Sequence, residues 1–150
     1  MSCKRMGLFI GLFMLGLFSS PVWPVQQVVL VTSLSCPINT LKTLDLRKIY
    51  FGLPVHKQNI QLIAIRNLSD SKLNKIFLQT VVFMTEHSYH RRLLSMTLKY
   101  GHPHIPEIYD LKQLANALAS HPCSISYLWR DQLNALPKSK ILRILWQENG

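Results

Sequence analysis

Short β-branched apolar runs alternate along this chain with longer stretches of helical periodicity, and that alternation leaves few folds open to it. Val28 to Thr32 (VVLVT) has no charged residue and reads as a buried strand. Gln61 to Ile65 (QLIAI), Ser124 to Leu128 (SISYL) and Ile141 to Trp146 (ILRILW) read as further strands. Between them lie helical patterns. Leu44 to Phe51 follows Thr43, a residue able to cap, with Asp45 in the first turn, and stops at Gly52 and Pro54. A second helix follows the turn Arg66-Asn67-Leu68. Ser69 is its expected cap, and Leu73, Ile76, Phe77 and Val81 share one face. A third covers Ser88 to Tyr100, with Tyr89, Leu93, Met96 and Tyr100 in register and Gly101 closing it. Asp110 opens a fourth, with the stripe Leu111, Leu114, Ala115 and Leu118, and Pro122 ends it. Strands separated by helices imply an α/β domain with a mainly parallel sheet flanked by helices.

The chain has 150 residues, the size of one domain. Its first 26 residues read differently from the rest. Lys4 and Arg5 precede thirteen residues without a charge, Met6 to Phe18, and then Ser19, Ser20 and Pro21. A basic start, a short apolar core and a small polar break form a secretory leader, with an uncut membrane anchor as the alternative. Residues 1–26 are thus expected to be leader or anchor and 27–150 a periplasmic or secreted domain. With 17 Lys and Arg against 7 Asp and Glu, the chain favours anionic partners. The basic residues are dispersed and do not alternate with aromatics, so no nucleic-acid partner is expected.

Motifs of enzymatic chemistry are missing from the sequence. There is no G-x-S-x-G, no Walker loop, no G-x-G-x-x-G and no H-E-x-x-H, and the seven carboxylates are scattered. The pairs His87/His90 and His102/His104 have spacings that can bring two imidazoles together, but neither is a zinc signature. The expectation is a non-enzymatic protein without metal or cofactor.

Four segments in order carry a likeness to a known family. They are VVLVT with its polar turn, Leu44 to Gly52 (LDLRKIYFG), Ile65 to Ser71 (IRNLSDS) followed by Phe77, and Pro122 to Tyr127 (PCSISY). Tyr100-Gly101 through Pro106 fits the loop before the fourth helix. Together they resemble the periplasmic phosphate-binding proteins of ABC transporters, here a small relative with a single three-layer lobe of the type 2 periplasmic binding fold. The resemblance implies a weak site for phosphate or another small oxyanion, linked to phosphate uptake or sensing through a membrane transporter. The alternative is a periplasmic protein–protein module whose anion site is vestigial. The implied ligands lie at two strand-to-helix junctions: Thr32, Ser33 and Ser35 at the first, and Arg66, Ser69 and Ser71 at the second. Amide groups at a helix start, hydroxyls and a guanidinium are suitable donors to an oxyanion. Leu68 and Asp70 stand where the family has glycines, and Asp70 brings negative charge to the anion position. With the strand that ends before Cys36 and the strand that starts after Cys123 taken as parallel neighbours, as the resemblance implies, Cys36 and Cys123 fall at opposite sheet edges, about 15 Å or more apart. Two free thiols are expected.

Overall fold

The first strand, β1 (Gln27–Ser33), occupies an interior position in the sheet, and every residue after Gln27 is buried. The computed structural model describes residues 23–101 and 104–148; the leader read at Lys4 to Ser20 lies outside them. Along the chain come α1 (Thr43–Tyr50), a small hairpin of β2 (His56–Lys57) and β3 (Ile60–Gln61), β4 (Ile63–Ala64), β5 (Arg66–Asn67) and α2 (Ser71–Phe77). A π-helical turn, Leu78–Val82, leads to α3 (Glu86–Tyr100), β6 (Glu107–Ile108) and α4 (Leu111–Ser120). The chain ends with β7 (Ser124–Trp129), a 3-10 turn (Arg130–Ala135) and β8 (Ser139–Gln147).

The main sheet has the order β4-β7-β1-β8. β4 runs parallel to β7, but β1 is antiparallel to both β7 and β8. The sheet is therefore mixed and not mainly parallel as expected. Residues on the two faces of β1 enter different cores. Val28 and Leu30 pack with Leu46, Ile49 and Tyr50 of α1, Leu73 and Phe77 of α2 and Tyr89 of α3. Val29 and Val31 pack with Leu114 and Leu118 of α4. Three layers result, with α1, α2 and Tyr89 of α3 on one side and α4 on the other. A strand covered on both faces needs an unbroken apolar run, which is why β1 lacks polar alternation.

Helix ends follow local chemistry, with two exceptions. Asp110 caps α4 by accepting from the Gln113 amide, and Gly101 (φ 63°) closes α3 in the left-handed region. Ser69 is not the cap of α2. Asp70 holds that position and accepts from the Leu73 amide, while the Ser69 hydroxyl donates to Asn67 Oδ1 (2.6 Å). At α1 the cap position is Lys42, and no side chain caps it; Thr43 is already helical. Of the α3 stripe only Tyr89 is fully buried, and Tyr100 is exposed. No helix among the described residues is long and apolar enough to cross a membrane.

The antiparallel setting of β1 also overturns the expectation of free thiols. Thr32 lies opposite Ile125, so the end of β1 and the start of β7 share one sheet edge. Cys36 and Cys123 meet there with Cα atoms 5.0 Å apart and form a disulfide.

Candidate functional site

The two junctions implied as anion ligands do not converge. Thr32, Ser33 and Ser35 lie at the Ser124 end of β7, where the Thr32 hydroxyl donates to the Ser124 carbonyl (2.7 Å). Ser33 and Ser35 are hydrogen-bonded to each other through their hydroxyls (2.9 Å). Arg66, Ser69 and Ser71 belong to the opposite end. Asn67 Nδ2 donates to the Tyr127 carbonyl, and Trp129 Nε1 donates to Asp70 Oδ2 (both 2.9 Å). From Ser124 to Trp129 the strand covers about 16 Å. The reversal of β1 that joins the cysteines is what separates these two groups of hydroxyls.

At the second junction Arg66, Ser69 and Ser71 are near in sequence but engaged separately. Ser71 begins α2 and is exposed. Ser69 is turned toward Asn67. The start of α2 is served by the Asp70 carboxylate. The backbone N–H of Leu73, then the indole of Trp129, hold the Asp70 carboxyl below its usual pKa of 3.8 despite partial burial. Asp70 therefore contributes stability that is full above pH 3.8 and is lost as pH falls through its lower folded value. Replacing Asp70 by Ala removes the cap and leaves the indole unpaired. A loss of about 1–2 kcal/mol is expected in urea unfolding at neutral pH, shrinking below about pH 4 as the native carboxylate protonates.

Arg66 is the centre of a polar cluster set into the core. Its side chain is 1% exposed. Nη2 donates to Glu86 Oε1 (2.7 Å) and to Asn74 Oδ1 (3.5 Å), and Nη1 donates to Glu107 Oε1. The guanidinium also lies 4.9 Å from the centre of the Tyr89 ring. Asn74 is held by both its ends, donating to Glu86 Oε2 (2.6 Å) and accepting from the Tyr127 hydroxyl (2.9 Å). Tyr109 donates to Glu107 Oε2 (3.2 Å). Below the cluster, Tyr127 stacks on Phe77 at 3.7 Å, and Tyr89 donates to the Tyr50 carbonyl. Burial pushes the phenols of Tyr50, Tyr89 and Tyr127 well up, so they remain neutral donors. Burial also pushes Glu86 up, but the hydrogen bonds from Arg66 and Asn74, with the charge of Arg66, outweigh it and hold the carboxyl below its usual 4.5. The cluster reaches solvent through Glu86, whose side chain is 50% exposed.

Chemically, this is an arginine already supplied with anions. Two carboxylates occupy its terminal nitrogens, so an incoming oxyanion would have to displace one and meet the charge of the other. Sequence reasoning missed Glu86, Glu107, Asn74 and Tyr127. One signal was legible: Asn74 sits beside Leu73 and Phe77 on the core-facing side of its helix, and a polar residue there requires buried partners. The carboxylates gave no local signal, because they lie 20 and 41 residues from Arg66. Among the described residues no group of three or more His, Cys, Asp or Glu is placed to hold a metal ion.

The fold defines a class before the sequence does: a mixed α/β domain with helices on both faces of the sheet. It is similar to the crystal structure of PstS from Borrelia burgdorferi, with a TM-score of 0.55 and 16% sequence identity over 78% of this chain and 46% of that one. This chain thus spans about half the length of that protein. At such identity the likeness is one of fold. No protein-family model and no curated protein sequence matches the chain.

Proposed function

We propose that the chain is an exported, non-enzymatic module with a fold related to solute receptors, which works by contact with another protein and has its anion position closed from within. The observation that carries this reading is the state of Arg66. The residue that the resemblance to phosphate-binding receptors would aim at a ligand is buried and paired with Glu86 and Glu107. Asp70 likewise takes the amide that an anion would use at α2. Support for a protein partner comes from Phe83. It holds a left-handed backbone (φ 59°), unfavourable for a bulky residue, yet the residue is 66% exposed, with the Arg47 guanidinium 5.1 Å from the centre of its ring. Export rests on the leader pattern at Lys4 to Ser20.

Inorganic phosphate provides the test. A receptor with a dissociation constant of about 0.1 mM would gain about 2.7 kcal/mol at about 10 mM ligand, a rise of several degrees in Tm. The expected result is no rise beyond that given by chloride at equal ionic strength. A saturable rise that disappears in Arg66→Gln would restore the receptor reading. For the partner, a photo-crosslinker at position 83 should give one discrete adduct in the producing cells. A diffuse ladder or no adduct would count against it.

A further inference from the structure

A cavity of about 480 Å³ lies on the surface between the end of α1, the outer face of α3 and the segment from His104 to Glu107. It is separate from the strand-to-helix junctions and borders the Arg66 cluster at Glu107 and at His90, which acts electrostatically on Glu86. Its volume is that of a small-molecule site. Phe51, Leu93, Leu94 and Ile105 provide apolar walls. Leu94 remains 61% exposed, although it lies on a helix fifteen residues long with only Tyr89 fully buried. The polar groups of the lining are concentrated in His87, His90, His104 and Arg91. Glu107, the one carboxylate, is already bound by Arg66 and Tyr109.

We infer that this cavity binds a small amphiphile with an apolar body and a single carboxylate, of the medium-chain fatty-acid type. Each part of the lining argues for one part of the ligand. The apolar walls gain by removing a hydrocarbon chain from water, which a small hydrated oxyanion such as phosphate does not offer. Arg91 carries a permanent positive charge at the rim and suits a carboxylate, with the imidazoles as further hydrogen-bond donors. A neutral chain would gain nothing from the charge of Arg91. The inference goes beyond the closed anion position at Arg66 and does not depend on it.

Calorimetric titration of the purified protein with decanoate below its micelle concentration tests this, with decanol and inorganic phosphate as comparison ligands. Saturable decanoate binding is expected, about tenfold tighter than decanol, with no heat from phosphate. Leu94→Glu should weaken decanoate at least about tenfold, because it puts like charge and a polar group on the wall. Arg91→Gln should weaken decanoate about three- to tenfold and leave decanol unchanged. Both positions are exposed, so the folded state is expected to survive, and circular dichroism checks it. Equal affinity for decanoate and decanol, no saturable binding of decanoate, or binding indifferent to Leu94→Glu would each overturn the inference.

Discussion

Reduction of the Cys36–Cys123 bridge, or its replacement by alanines, should lower stability by about 2–5 kcal/mol. The cysteines are 87 residues apart, so the bond closes a loop covering most of the domain. Chain-entropy arguments place such a loop near the upper part of that range, because an open denatured chain gains the most freedom. The native side adds a packing contribution, since both cysteines are buried within the larger hydrophobic core. For a domain of this size the Tm should fall by on the order of 10 °C. Thermal melts with and without reductant measure the effect, and intact mass gives the independent check: native protein should be lighter by the two thiol hydrogens. Identical melts under both conditions would mean that the bridge does not form in solution.

Arg66→Met should be the most damaging single substitution near the cluster, at about 3–5 kcal/mol at neutral pH. The cost comes less from the lost bonds than from what remains. Glu86 and Glu107 would face each other and Asn74 without a counter-charge. Two consequences distinguish this account from loss of packing. Adding Glu86→Gln and Glu107→Gln to Arg66→Met should recover a large part of the stability, since neutral amides remove the repulsion. The pH dependence should also change direction. In the native protein the Glu86 carboxyl is depressed, so its contribution is full above the unfolded value near 4.5 and declines as pH falls through the lower folded value. In Arg66→Met the guanidinium that holds Glu86 ionised is gone, and the deficit against the native protein should narrow as pH drops below about 5. Urea unfolding at pH 7 and pH 4 provides both readings. A deficit that is constant with pH would point to packing alone.

These two predictions concern features that were unequally legible. The disulfide was within reach of the sequence as two cysteines in a chain whose leader pattern suggests export, yet the pairing depends on which way β1 runs beside β7. Nothing within β1 records that direction, because the side-chain pattern of a strand buried on both faces is the same whether its neighbours are parallel or antiparallel. The Arg66 cluster failed to show for a related reason. Arg66 looked like a ligand-binding residue because its local context, a turn before a helix, has that form in the family the chain resembles. Its function in the fold is determined by Glu86 at the start of α3 and Glu107 in β6, which reach it through tertiary packing.

The amino-acid sequence by itself determined the position of β1 in the interior, the stripes that seat α2 and α4 on the sheet, the cap at Asp110 and the closing turn at Gly101. Each of these follows from side-chain periodicity or from backbone chemistry acting within a few residues. Only the tertiary structure decided the antiparallel setting of β1, and with it the meeting of Cys36 with Cys123 and the separation of the Ser33 and Ser69 junctions. It likewise decided that the charge of Arg66 is met by carboxylates of the protein's own chain. The physical reason is common to both: strand direction and ion pairing join residues distant in sequence, and their energies depend on geometry that only the assembled layers create.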